Sequence, residues 1–105
     1  SAYNTICLEV GEHIPKQYEL IFLDNITSLT TNKIILSWAI IGQGGDGHVN
    51  CMNNDEVILK MDELGFKYLE NDSLDARNSV SQLIAPWFLK TIMIFQKNNY
   101  DYNTC

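Results

Sequence analysis

Apolar and polar positions change period several times along this chain, and each change marks an element. Tyr3 to Val10 is β-branched, aromatic and apolar enough to predict a buried strand. Pro15 suits the first turn of a helix, and Tyr18, Ile21, Phe22, Ile26 and Leu29 recur at three- and four-residue spacing, so an amphipathic helix is expected from Pro15 to Leu29. Thr30-Thr31-Asn32 interrupts it. Lys33 to Ala39 is then an almost uninterrupted apolar run, the pattern of a strand covered on both faces. Strand, helix, strand makes a right-handed parallel unit the default.

Gly42 to Asn50 follows, with glycines at 42, 44, 45 and 47 and a histidine at 48, a loop whose backbone can approach a ligand closely. Asn53 and Glu56 resemble a capping box, and Val57, Ile58, Met61 and Leu64 form the apolar stripe of a second helix that stops at Gly65. Phe66 to Leu69 alternates as a short strand. Asp72 or Ser73 is expected to cap a third helix reaching Leu83, with Leu74, Val80 and Leu83 as its sparse apolar side. Pro86-Trp87-Phe88 ends that segment, and Thr91 to Phe95 is the last strand. Residues 1–97 read as one α/β unit and 98–105 as a polar, frayed tail. The unit looks like half of a larger sheet, because an apolar first strand would otherwise sit at an open edge, which proteins normally protect.

Charge narrows the partners. A net charge of −6, with seven Lys and Arg scattered singly, supplies no basic stripe and argues against nucleic acid and anionic membrane. No apolar run approaches the ~20 residues of a spanning helix, and the first residues lack the basic start and apolar middle of a signal peptide. Cys7, Cys51 and Cys105 are odd in number and widely spaced, which fits a reducing, cytoplasmic setting better than a disulfide framework. Two glycosylation tripeptides, at Asn25 and Asn71, carry little weight without a secretory signal.

Candidate chemistry gathers where the first strand ends. Glu9, Glu12 and His13 stand at i, i+3 and i+4, a spacing that puts all three on one side of a helical turn. If the first two strands are parallel neighbours, their carboxyl ends share an edge and His48 comes within reach of the other three. Two carboxylates and two imidazoles suit a divalent ion such as Mg, Mn, Fe or Zn. Two plainer readings stay open. Glu12 can accept backbone amide hydrogens while His13 bonds a carboxylate or carbonyl, or His13 can act as a general base without metal. His48 in a glycine loop can equally face solvent. Trp38, Trp87 and Phe88 could line an acceptor pocket or be core, while Tyr18, Phe22, Met61 and Met93 are core by spacing. Cys7 reads as a small buried hydrophobe.

The strand ending in Leu8-Glu9-Val10-Gly11-Glu12-His13-Ile14-Pro15 resembles the fourth-strand motif of class I S-adenosylmethionine-dependent methyltransferases: an apolar strand, Glu-Val, any residue, Glu-His and an apolar residue. Ile34 to Trp38 resembles that family's fifth strand, Gly65 to Tyr68 the start of its sixth, and Thr91 to Phe95 its seventh. The resemblance implies an α/β fold, a partial Rossmann-like sheet of order 4-5-7-6 whose last strand is antiparallel. It further implies transfer of a methyl group from S-adenosylmethionine to an oxygen of a small-molecule acceptor. Glu9 and Val10 would lie toward the cofactor, and Glu12 and His13 would be catalytic. Glu9, Glu12, His13 and His48 would hold a divalent metal, as in the subset that includes small-RNA 2′-O-methyltransferases and ubiquinone-pathway O-methyltransferases. The acidic composition makes RNA the weaker of those substrates. The chain departs from the family in lacking a glycine-rich turn after a first strand and an acidic residue ending a second. A fragment is therefore expected, inactive alone; the rival is a non-catalytic α/β remnant, or a subunit that completes its sheet with a partner chain at the first-strand edge.

Overall fold

The computed structural model describes residues 1–80 and 88–98. Strand β1 (Ala2–Leu8) leads through two short 3-10 turns, Gly11–His13 and Lys16–Tyr18, into helix α1 (Glu19–Leu29). Strand β2 (Thr30–Ser37) follows without a loop. After the glycine-rich segment come α2 (Asn54–Glu63), β3 (Phe66–Tyr68), α3 (Glu70–Ser79), the single turn α4 (Phe88–Thr91) and β4 (Met93–Lys97). The four strands form one mixed, open sheet in the order β1-β2-β4-β3. β1 and β2 are parallel, and β4 runs antiparallel to both β2 and β3.

Register decides which side chains share a face. Cys7 lies beside Leu36, Leu36 beside Met93, Ile34 beside Phe95 and Tyr68 beside Phe95. These residues pack with Leu23 and Ile26 of α1 and Val57 and Met61 of α2 in one core cluster among the described residues. Each buried side chain of this kind contributes about 1.5–3 kcal/mol of hydrophobic stabilisation.

Several expectations are revised. β1 ends at Leu8, not Val10, because Glu9 takes a left-handed φ of 57° and turns the chain out of the sheet. The strand is not buried: it is an edge strand, paired only with β2 among the described residues, and Ile6 is 67% exposed. β2 is not covered equally on both faces either, since Ile34 and Leu36 are sealed while Lys33 and Ile35 are half-buried. It starts at Thr30 because that residue serves both elements. The Thr30 hydroxyl donates to the Ile26 carbonyl of α1, 2.7 Å away, and lies 2.5 Å from the Thr5 hydroxyl of β1.

Of the expected stripe of α1, Ile26 is buried and Phe22 packs against the core, but Tyr18, Ile21 and Leu29 are exposed. Leu20-Ile21-Phe22-Leu23 is apolar in four successive positions, so periodicity alone does not fix the inner face. Leu23, Ile26 and Thr27 are buried, whereas Tyr18 (51% exposed) and Ile21 (60%) face outward. Glu19 sets the rotation. Its carboxylate is buried and receives Asn50 Nδ2 at 2.8 Å, Lys60 Nζ and, at 3.2 Å, Lys16 Nζ. The capping box at Asn53 does not form, because Asn53 Oδ1 instead accepts the Ile41 amide at 3.2 Å. α2 does end before Gly65, whose φ of 88° suits the glycine that follows a helix. Ser73 is the fourth residue of α3, not its cap; its hydroxyl donates to the Leu69 carbonyl and accepts the Ile94 amide. Leu74 is exposed, and the expected apolar residues Leu83 and Trp87, with the side chain of Phe88 and the 99–105 tail, lie outside the described part.

Burial raises the pKa of Glu19, but hydrogen bonds from Asn50, Lys60 and Lys16 outweigh it and hold the carboxyl below its ordinary value. A carboxyl lowered in this way adds stability above its unfolded pKa of 4.5 and loses it as pH falls through the lower folded value. Glu19→Ala is therefore expected to cost about 2 kcal/mol in urea unfolding at pH 7. The cost should shrink as the pH falls below that unfolded value, and a pH-independent cost would show that the charge is not what stabilises.

Candidate cation site

The turn after β1 is built against the end of β2. Gly11 is buried with Trp38 on top of it, and a Cβ there would lie 2.4 Å from a ring carbon, so only glycine lets the indole approach so closely. Trp38 in turn donates from Nε1 to the Asn50 carbonyl at 2.7 Å. The Val49 and Asn50 amides both donate to the main-chain carbonyl of Glu12, at 2.9 and 3.0 Å. The far end of the glycine loop is thereby clamped onto the 3-10 turn that carries Glu12 and His13.

Three of the four expected ligands converge. One ligand atom each from Glu12, His13 and His48 lies within 4.8 Å of the other two. The imidazoles of His13 and His48 meet edge to face, with centroids 4.9 Å apart. Glycine makes this possible at two places: a Cβ on Gly45 would lie 2.6 Å from the His48 ring, and one on Gly47 would lie 3.2 Å from His13 Nδ1. Glu9 is not in the group. Its Oε2 accepts the Ser37 hydroxyl at 3.1 Å, and its amide donates back to the same Oγ at 2.9 Å.

The plainer readings of Glu12 and His13 are partly realised. Glu12 Oε1 accepts the Ala39 amide at 3.2 Å, and His13 Nδ1 lies 2.9 Å from the Gly47 carbonyl. A carbonyl only accepts, so Nδ1 carries the hydrogen and the lone pair of the neutral ring sits on Nε2. That nitrogen is 3.8 Å from Glu12 Oε2, too far for a hydrogen bond. Glu12 is fully buried, and Oε2 has no hydrogen-bond partner among the described residues. Two acceptors thus face one point with nothing shared between them, and a positively charged species there would satisfy both. This donor set fits a divalent cation.

Electrostatics agree with crowding of negative charge. Burial pushes the Glu9 carboxyl up and Glu12 pushes it further, against the hydrogen bonds of Ser37 and Gln43 and the proximity of His48. Burial likewise raises the Cys7 thiol, with Glu12 adding to it, so Cys7 is an inert, half-buried thiol. Val10 is partly exposed beside Glu9, and Trp38 is wholly core, so it lines no acceptor pocket. Sequence reasoning missed Ser37, Asn50 and the Gly47 carbonyl. Ser37 had a signal, as the polar terminus of an apolar strand; a main-chain carbonyl has none.

No protein-family model, curated protein or solved structure matches the chain.

An unpartnered buried acceptor costs about 1–3 kcal/mol. Glu12→Gln keeps an oxygen for the Ala39 amide and puts an amide donor at the orphaned position, 3.8 Å from His13 Nε2, where a small side-chain shift closes a hydrogen bond. In chelator-treated protein this variant is expected to be more stable than the parent by about 1 kcal/mol in urea unfolding. A less stable variant would mean that Oε2 is already satisfied.

Proposed function

We propose that this chain carries the acceptor-side half of a class I S-adenosylmethionine-dependent methyltransferase, with a divalent cation held by Glu12, His13 and His48. The single observation that carries the proposal is the orphaned Glu12 Oε2 facing His13 Nε2 beyond the carboxyl ends of two adjacent parallel strands. Crevices at that end of a parallel sheet are where α/β proteins bind ligands. The sheet order, with the last strand antiparallel and inserted between β2 and β3, supports the same reading, as does the Glu-Val-Gly-Glu-His sequence at the turn.

A bound cation would supply the Lewis acidity that lets an acceptor hydroxyl release its proton near neutral pH. The chain's own residues prepare the place. Ala39 fixes one oxygen of Glu12 so that the other faces His13, Gly47 fixes the tautomer of His13, and Gly45 leaves room for the ring of His48. The Nε2 lone pair of the half-exposed His13 side chain also allows a metal-free route in which His13 takes the hydroxyl proton itself. These residues do not by themselves form an adenosylmethionine pocket, because the glycine loop follows β2 and is tied to the imidazoles. The methyl donor needs surfaces that they do not supply.

Calorimetric titration with Mn²⁺ and Co²⁺ tests the cation site: binding is expected, and Glu12→Gln, His13→Ala and His48→Ala should each weaken it by at least about tenfold. Transfer of labelled methyl from S-adenosylmethionine to hydroxylated small molecules, assayed with this chain and with the gene product that contains it, tests the reaction. Cation binding without transfer by either would leave a metal site and remove the methyltransferase.

The open edge of β1 favours a second reading, a non-catalytic subunit that completes its sheet with another chain. Exposed Ile6 on a strand that pairs only with β2 among the described residues is the observation behind it. Sedimentation analysis should then show self-association or capture of a strand-bearing partner that Ile6→Lys abolishes; a concentration-independent monomer would count against it.

A further inference from the structure

Away from the cation site, the outer side of α1 and α2 presents a surface that the core does not use. Leu20-Ile21-Phe22-Leu23 is apolar in four successive positions, yet only Leu23 is sealed, and Leu20 is 68% exposed. A hollow of about 440 Å³ opens beside Leu20, between the two helices. Leu20, Leu23 and Leu64 supply its apolar lining, and Glu19, Lys60 and Glu63 its polar one. An exposed aliphatic side chain at a hollow rimmed by charge has the make-up of an interaction surface.

The charges around the hollow fix the chemistry of what fits. Lys60 and Lys16 are both engaged within the chain: each pairs with Glu19, and each lies within 4.0 Å of Glu56 Oε2. Those four charges cancel. Glu63, on the rim, and Asp24, one turn along α1 from Leu20, are exposed and have no ion pair among the described residues. Glu63 is also the last residue of α2, where the helix dipole disfavours a carboxylate. A positive partner would improve the setting of both.

These facts separate the occupants. A second copy of the chain brings the same net charge of −6, and a two-fold contact would set acidic rim against acidic rim. An anionic membrane is repelled for the same reason. A small apolar cation confined to the hollow meets Glu63 but not Asp24, which lies outside the lining. A helix laid along α1 meets both, because side chains at i, i+3 and i+4 share one face and its flanks can carry lysine or arginine.

We propose that the hollow between α1 and α2 docks a basic amphipathic helix of a partner protein, with an aliphatic side chain seated against Leu20, Leu23 and Leu64 and cationic side chains on Glu63 and Asp24. None of these residues belongs to the Glu12, His13 and His48 group, so the docking stands or falls apart from the cation and methyl-transfer readings.

The test titrates the full chain, followed by amide NMR, with a synthetic helix of about 15 residues that has leucine along one face and lysine on its flanks. The same peptide with glutamate for lysine is the comparison. Shifts are expected at Leu20, Leu23 and Leu64 with the lysine peptide, and its affinity should fall as salt is raised. Leu20→Ser should weaken binding about tenfold, as loss of an anchor does, and Glu63→Lys about threefold or more. Leu59→Ser and Glu70→Lys make the same changes outside the hollow and should leave the affinity within about twofold. All four positions are exposed, so loss of binding is not loss of fold, which urea unfolding checks. Equal binding of the glutamate peptide, equal losses in Glu63→Lys and Glu70→Lys, or no shifts with the lysine peptide would overturn the proposal. Shifts confined to β1 would overturn it in favour of the open sheet edge. Concentration-dependent dimers that Leu20→Ser abolishes would give the surface to a second copy, and shifts at the hollow from benzylamine but from neither peptide would give it to a small cation.

Discussion

The main-chain carbonyl of Glu12 accepts two amides, those of Val49 and Asn50, and the carboxyl edge of the sheet depends on that junction. A segment with four left-handed glycines has a high conformational entropy to lose, and ordering it requires fixed points. The Glu12 carbonyl is one. Around it lie the Trp38 indole on Asn50, the Asn50 amide on Glu19, and the Glu19 carboxylate on Lys60 of α2. The junction therefore runs from the turn after β1, through the loop, to both helices on the core face. Disturbing it would loosen the site and the core together, which is why site geometry and stability are not separable in so small a domain.

Much of the framework was legible because it depends on period and on strong punctuation. The strand and helix order follows from runs such as Ile34-Ile35-Leu36 and stripes such as Val57-Met61, and Gly65 marked the end of α2 as a glycine after a helix does. What failed was orientation. Four consecutive apolar residues in α1 leave its inner face undetermined, and the choice fell to a buried glutamate that finds partners only on the Asn50 and Lys60 side. Capping at Asn53 and Ser73 failed for a related reason: each short polar side chain had a tertiary partner, the Ile41 and Ile94 amides, that local sequence does not reveal.

Site residues were legible as a group by residue type and spacing, but their roles were not. Glu9 and Glu12 look alike in sequence, and helical spacing would put them side by side. The structure separates them because the chain leaves β1 through a left-handed residue followed by a 3-10 turn, not an α-helical one. Which carboxylate is tied and which is open depends on Ser37, Ala39 and Gly47, two of which act through backbone groups that carry no sequence signal.

Two buried carboxylates show how structure and chemistry divide the work. Glu19 and Glu12 are both nearly inaccessible, and removing either from water is costly. Glu19 has that cost offset by Asn50, Lys60 and Lys16, so its charge belongs to the fold. Glu12 is satisfied on one oxygen only, and its other oxygen faces a histidine lone pair. A fold selected for stability alone would place a donor there or replace the glutamate. The open valence is a local loss of stability beside two imidazoles, which a cation held there would offset. If a cation binds between Glu12 and His13, its occupancy and the stability of the chain are linked quantities, because the same turn is tied through the loop and Asn50 to α1 and α2.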